Sequence, residues 1–276
     1  MTGGALALAL GAAVLHATWN VLLAGSRDTA AATAGLLVWG VVLLAPAALV
    51  TGGVSADALP YVAASAALEL VYFVLLARAY RDGELSVVYP VARGTAPALV
   101  LVVGAIALNA AVPAGAAVGV LAVTAGVLLV GLGALPGHFA RENAQPPRDL
   151  LFGLAIGAVI ASYTLVDSEA MDHADPVAYL ALVIAPCAAL YPAVTGTRPE
   201  LSPRTALTAA ATFGAFLMVL AAFKLAPAAP VAAVRESSVV IAALLAAVFL
   251  NEAVGVRRMV GALCVAAGVA AIALSG

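Results

Sequence analysis

Two arginines lie in stretches of sequence that are otherwise almost entirely apolar. Arg93 is in YPVARGTAPALVLVVGAIALNAAV, and Arg235 is in APVAAVRESSVVIAALLAAVFLNEAV. A charged side chain deep in an apolar membrane helix costs at least ~2.5 kcal/mol to insert, so such residues usually face a cavity or a partner. The planar fork of a guanidinium matches carboxylate and phosphonate groups. Both arginines are therefore predicted to bind an anionic or zwitterionic solute, or to gate its path.

Other polar and aromatic residues share helix faces in similar apolar segments. In LHATWN, His16 lies three residues before Trp19 and four before Asn20, so all three side chains share one helix face. The same spacings recur in other segments, in the pairs Glu69 and Tyr72, Tyr89 and Arg93, and Tyr163 and Asp167. A face that is partly charged and partly aromatic is typical of a cavity that holds an amphiphilic solute.

These residues have two predicted roles. Glu69, near the midpoint of its apolar segment, is the predicted proton-coupling carboxylate, and His16 and Asp167 are further candidates for proton coupling. The predicted substrate-binding or gating residues are Arg93, Arg235, Trp19, Asn20, Tyr72, Tyr89, Tyr163, Glu236 and Ser237.

Structural alternatives stay open for three of these residues. Glu69 and Arg93 could form an ion pair that only fixes helix packing. His16 could be a hydrogen-bonded interior histidine without a functional role. Asp167 could lie at the membrane interface, because further acidic residues follow it at positions 169, 172 and 175.

The composition indicates an integral membrane protein. The chain of 276 residues is 65% hydrophobic and 9% charged, whereas a soluble domain has roughly 25% charged residues. The net charge of −2 gives no basic surface for nucleic acid. No metal, nucleotide or hydrolase motif occurs, so we expect neither a cofactor nor a catalytic activity.

Polar and Pro- or Gly-containing connections divide the chain into ten predicted all-α membrane spans of about 20 residues. Their predicted bounds are 3–24, 30–51, 59–80, 85–105, 113–133, 150–170, 176–195, 205–225, 228–250 and 255–275.

The two halves of the chain resemble each other. An offset of 142 positions carries Arg93 onto Arg235, Asn109 onto Asn251, and Gly119 onto Gly261. The sequence predicts one five-helix repeat over 1–134, a polar connecting loop over 135–149 and a second five-helix repeat over 150–276. Because five is odd, the second repeat must enter the membrane upside down relative to the first.

The fifth and tenth predicted spans have small residues at close spacing, including Gly115, Gly119, Gly261 and Gly268, and no charge beyond the first turn. Such faces let helices pack backbone to backbone, so both spans are predicted to be structural. The loops after odd-numbered spans hold nine arginines, and the loops on the opposite side hold only Lys224. The positive-inside rule therefore places both termini outside the cytoplasm.

The segments HATWN, VVYPVARGTAP and VRESSVV, together with the ten predicted spans, resemble the drug/metabolite transporter superfamily of the EamA type. The resemblance implies a helical basket in which spans one, three, four, six, eight and nine line a central cavity while five and ten pack behind. It also implies that both termini lie in the cytoplasm, against the arginine distribution.

The predicted function is secondary transport of a small polar or amphiphilic metabolite or drug across the cytoplasmic membrane, by alternating access and with proton coupling. Its predicted partners are this solute, protons and membrane lipid, and it would act as a monomer or homodimer. A gradient-independent facilitator or exchanger would share these features, and a non-transporting membrane subunit is a further alternative.

Overall fold

The computed structural model describes residues 1–24, 26–82, 85–132, 146–250 and 255–275. Most of the predicted loop 135–149 lies outside these ranges, as does Asn251. The helices are α1 Gly3–Ala24, α2 Thr29–Ala48, α3 Leu59–Asp82, α4 Leu85–Ala107, α5 Ala114–Leu132, α6 Pro146–Ala170, α7 Pro176–Thr195, α8 Pro203–Phe223, α9 Ala228–Arg235, α10 Ser237–Leu250 and α11 Val256–Leu274, with a short 3₁₀ helix at Ala56–Ala58.

Nine of the described helices are long and apolar enough to cross a membrane. They correspond to nine of the predicted spans, and their ends differ from the predicted ends by only a few residues. This confirms the prediction of an all-helical, multi-pass membrane protein.

The predicted ninth span, 228–250, is wrong as a single helix. The structure divides it into α9 and α10, with Glu236 in a turn between them. The Glu236 N–H donates to the Ala233 carbonyl at 3.0 Å, and the Val239 N–H donates to the Glu236 carbonyl at 3.0 Å. These are the i→i+3 bonds of a 3₁₀ turn, which often marks a functional site when it interrupts a helix.

Side-chain caps fix where several helices begin. Asp28 caps α2 by accepting from the Ala30 and Ala31 N–H groups, and Asp175 caps α7 in the same way. Ser202 and Thr205 form a capping box at the start of α8. These residues satisfy backbone donors that the first helical turn leaves unpaired.

Helices α5 and α11 pack backbone to backbone. A Cβ atom added at Gly119 would lie 2.7 Å from the Gly268 carbonyl oxygen, and one added at Gly126 would lie 2.6 Å from the Gly261 oxygen. The pairing order shows that the two helices are antiparallel, because residue numbers rise along α5 as they fall along α11. This contact agrees with the structural role predicted from the small residues of both spans.

We expect Gly126→Ala to destabilise the protein. Alanine normally favours a helix over glycine by ~1 kcal/mol, but here the clash with the α11 backbone should dominate at about 1–3 kcal/mol. The matched control is Gly4→Ala in α1, whose added Cβ would meet only Leu225 at an ordinary 3.6 Å. Thermal unfolding in detergent should show a lower Tm for the first variant alone. Equal Tm values would contradict the close packing of α5 and α11.

The other helices bring the predicted site residues together at the centre of the protein. Helix α1 packs along α8, α3 packs along α6 and α7, and α4 packs along α6, while the short α9 contacts α1, α4 and α5. Helices α4 and α6 lie so close together that a Cβ atom added at Gly153 or Gly157 would meet the α4 backbone at 2.9–3.0 Å.

A reporter fused to the C-terminus will determine the orientation. The arginine distribution predicts that both termini lie outside, so a reporter that is active only in the cytoplasm should be silent and one that is active only outside should work. Moving arginines from the odd-numbered loops to the other side should reverse this result. Activity of the cytoplasmic reporter on the unaltered chain would contradict the prediction.

Candidate functional site

A buried ion pair joins α4 to the turn between α9 and α10. Arg93 Nε lies 2.9 Å from Glu236 Oε2, and the two side chains are only 3% and 0% exposed. The N–H is not aimed at this oxygen, so the contact is an ion pair without hydrogen-bond geometry. Arg93 thus contacts Glu236 in this structure, and not Glu69, with which an ion pair was the structural alternative.

Glu236 is shared between the two predicted arginines. Arg235 Nη2 lies 3.5 Å from Glu236 Oε1, while the other carboxylate oxygen faces Arg93. A continuous helix would point adjacent residues about 100° apart. Here the side chains of residues 235 and 236 are in contact beside the turn between α9 and α10. One carboxylate thus balances only part of the charge of two buried guanidinium groups.

His16 lies between two hydrogen-bond donors. Arg93 Nη2 is 2.6 Å from His16 Nε2, and Trp19 Nε1 is 3.1 Å from His16 Nδ1. A neutral imidazole accepts at only one nitrogen, and arginine and tryptophan can only donate. His16 can therefore accept a hydrogen bond from Arg93 or from Trp19 but not from both, and a change at Arg93 would alter the hydrogen bonding of the whole His16–Trp19 pair.

Aromatic rings surround the charged groups. The Tyr89 ring lies 6.0 Å from the Arg93 guanidinium carbon, at the outer limit of a cation–π contact. Tyr72 and Tyr163 meet edge to face, with ring centroids 5.8 Å apart, and Tyr163 also packs against Phe216. These rings provide apolar and weakly electronegative surface next to the two arginines.

Glu69 is buried without a hydrogen bond. Its side chain is 1% exposed, and neither carboxyl oxygen has a hydrogen-bond partner among the described residues. Asp167 and Arg235 are close enough to act on it electrostatically. An ionised carboxylate in this position is costly unless it is paired or binds a proton.

Asp167 is buried inside the protein, with a relative exposure of only 4%. Its Oδ1 accepts hydrogen bonds from Ser65 Oγ at 2.6 Å and from Tyr179 OH at 2.7 Å. Neither donor was predicted from the sequence. Ser65 could have been found, because it lies one helical turn before Glu69 on α3. Tyr179 could not, because nothing in the sequence indicates that its hydroxyl group reaches Asp167 from α7.

Two predicted substrate-binding residues form local hydrogen bonds, Asn20 within α1 and Ser237 across the turn between α9 and α10. Asn20 Nδ2 donates to the His16 carbonyl at 2.8 Å, and Ser237 Oγ donates to the Val234 carbonyl at 2.8 Å. Both side chains are half-buried. Neither side chain forms a hydrogen bond to Arg93 or Glu236 among the described residues.

The central space is almost closed in this conformation. A cavity of about 10 Å³ lies among these residues, which is room for about one water molecule. Five helices and Arg235 of α9 line it, and the residues from the five helices are His16, Trp19, Leu23, Thr33, Leu36, Tyr72, Phe73, Leu76, Tyr163, Thr212 and Phe216. Helix α2, which the resemblance did not include among the lining spans, contributes Thr33 and Leu36.

The fold and this buried cluster define a multi-pass helical membrane protein with charged groups from several helices at its centre. A solved crystal structure of a protein 18% identical in sequence has the same fold, with a TM-score of 0.79 over 99% of this chain and 98% of that one. No curated protein matches the chain in sequence. The model of the EamA-like transporter family matches residues 148–274, in the second half of the chain, and this match confirms the resemblance to that family that the sequence indicated.

Proposed function

We propose that the protein is a proton-coupled secondary transporter of a small polar or amphiphilic metabolite or drug, such as an amino-acid-like or phosphonate-like compound, in the cytoplasmic membrane. The observation that supports this proposal most strongly is the Glu236 carboxylate, which lies at a helix break and contacts both Arg93 and Arg235. Discontinuous helices with charged groups at mid-membrane are where many secondary transporters bind their substrates.

An anionic group of the substrate would compete with Glu236 for the arginines. Arg93 holds one oxygen of this carboxylate and Arg235 the other, so a substrate carboxylate or phosphonate could replace either contact. Release of Glu236 would free the turn between α9 and α10 to move. Substrate binding would thereby favour one conformation over another, which is the requirement for coupling binding to a structural change. Tyr89, Tyr72 and Tyr163 would contact the remainder of the solute.

Glu69 would carry the coupled proton. Its carboxyl group has no hydrogen-bond donor in this conformation, so binding a proton would remove the cost of a buried charge. Arg235 acts on it electrostatically, and that arginine is also a proposed substrate ligand. Movement of Arg235 toward a substrate anion would change the affinity of Glu69 for its proton. Asp167, held by two hydroxyl groups, would act as a second acid in the same cluster.

Two inverted five-helix repeats, over 1–134 and 150–276, would provide the alternating access. Exchanging each residue with its equivalent 142 positions away turns the Gly119–Gly268 contact into the Gly261–Gly126 contact, and both occur. The exchange also relates the packing of α1 on α8 to that of α6 on α3. The nearly closed central cavity fits an occluded intermediate between outward- and inward-open states.

A ligand screen tests this proposal. Purified protein would be tested for thermal stabilisation by amino acids, phosphonates and cationic drugs, and each hit would be tested for uptake into proteoliposomes. Stabilisation and saturable uptake by the same compound would support transport. Uptake that ignores a pH gradient would favour a facilitator or exchanger, whereas a complete absence of binding and flux would favour a non-transporting subunit.

A further inference from the structure

A second, larger cavity lies away from the central cluster, where α2 begins and where α3 and α7 end. Its volume is about 510 Å³, within the range of ligand pockets in proteins. The two cavities are lined by different faces of α3. Phe73 and Leu76 line the central cavity, whereas Val74 and Ala77 line the second cavity. We call this second cavity the arginine cleft.

Basic residues outnumber acidic ones in the lining of the arginine cleft. Arg27, Arg78 and Arg81 line it, and Asp28 is the acidic residue in its lining. The Oδ1 atom of Asp28 already accepts hydrogen bonds from the Ala30 and Ala31 N–H groups, each at 3.0 Å. Its carboxylate is therefore committed in part to capping α2 and offsets only a fraction of the arginine charge.

Two of these arginines have no partner in the part of the chain that the structure describes. Arg27 and Arg78 are exposed, and no ion pair or hydrogen bond to either side chain occurs among those residues. Arg204, which lies at the same end of the helices, differs from them. Its Nε and Nη2 atoms donate to the Leu22 carbonyl at 3.1 and 2.7 Å. Arg204 thus holds the end of α1, whereas Arg27 and Arg78 remain available to a ligand.

The lining of the arginine cleft is amphiphilic. Its apolar lining residues include Val74, Ala77 and Val194, and Thr195 and Thr197 also line it. These positions are at the ends of membrane helices, where the phosphate groups of lipids lie. Guanidinium groups favour phosphate because they present several N–H donors to its oxygens.

We propose that the arginine cleft binds a phosphate group, and that its source is the headgroup of an anionic phospholipid whose acyl chains contact the apolar wall. The site is separate from the proposed transport site, so phosphate binding can be tested independently of transport. Each basic residue next to a membrane helix attracts anionic lipid with about 1 kcal/mol. Removal of one arginine should therefore weaken the affinity for the lipid about fivefold.

The test is native mass spectrometry of the full-length protein released from nanodiscs that contain phosphatidylglycerol and phosphatidylcholine. We expect the unaltered protein to retain phosphatidylglycerol preferentially, and Arg27→Gln and Arg78→Gln each to weaken that retention about fivefold. The control is Arg257→Gln, an exposed arginine outside the cleft, which should retain lipid as the unaltered protein does. Gel filtration would show that each variant is folded.

A second arm separates a lipid from a soluble ligand. Thermal stabilisation is measured in phosphatidylcholine nanodiscs with added inorganic phosphate or glycerol phosphate. Stabilisation by soluble phosphate that both cleft variants lose, without selective retention of phosphatidylglycerol, would overturn the lipid source. Equal lipid retention and equal phosphate response in the unaltered protein, the cleft variants and the Arg257→Gln control would overturn the site itself. A single Arg78→Gln effect without an Arg27→Gln effect would also contradict it, because both guanidinium groups are assigned to one phosphate.

Discussion

Glu69→Gln is expected to abolish transport driven by a pH gradient while solute exchange without a gradient persists. Glutamine has nearly the shape of a protonated glutamate but cannot release a proton. Because Glu69 is fully buried and has no hydrogen-bond partner among the described residues, the substitution leaves no new unpaired charge and should not unfold the protein. Proteoliposome flux measured with and without an imposed pH gradient checks this result.

The matched control for this prediction is Asp57→Asn, which removes an acidic group from an exposed position in the short 3₁₀ helix. It should keep the full response to the pH gradient. The dependence on pH should also be lost in Glu69→Gln: exchange by the variant should stay constant across a pH series in which exchange by the unaltered protein changes. Gradient-driven flux that is unchanged in Glu69→Gln would refute the proton-coupling role of this residue.

Arg93→Lys and Arg235→Lys are each expected to lower transport by about tenfold or more while the protein still folds. Lysine keeps the positive charge that balances Glu236, so the buried cluster is not left with an unpaired carboxylate. It loses the fork that could hold two oxygens of a substrate. It also loses the second nitrogen with which Arg93 reaches His16 while it contacts Glu236.

The control for the arginine variants is Arg198→Lys, an exposed arginine between α7 and α8 that should transport normally. Ligand stabilisation separates binding from movement: a weaker thermal response to the substrate would assign the arginine to binding, and an unchanged response with slow flux would assign it to gating. Normal transport by both lysine variants would reduce the arginines to structural charges and remove the support for an anionic or zwitterionic substrate.

Much of the fold could be predicted because the membrane imposes simple rules on the sequence. Uninterrupted apolar segments of about 20 residues identified the spans, since a helix of that length crosses the hydrocarbon core. Gly115 and Gly119 indicated a closely packed helix because small residues allow backbones to approach each other. The break at Glu236 was missed because residues 228–250 are apolar on both sides of it, so hydropathy alone reports one continuous span.

The sequence could predict which residues belong to the candidate site, but not which of them contact each other. Arg93, Arg235 and Glu69 were recognisable because a charged residue in an apolar span is costly to insert into the membrane and usually has a functional role. Which acid contacts Arg93 depends on how α4 packs on the turn between α9 and α10, a long-range contact that no local pattern records. The donors to Asp167 were missed for the same reason, since Tyr179 meets it from a different helix.

The most direct test of the account is whether a pH gradient drives accumulation of a solute by the reconstituted, unaltered protein. A compound that stabilises the purified protein would be added to proteoliposomes that carry an imposed pH gradient. We predict that it accumulates above its external concentration, in the direction that dissipates the proton gradient, and that a protonophore abolishes the accumulation. Equilibration to equal concentrations at the same rate with and without the gradient would contradict a proton-coupled transporter.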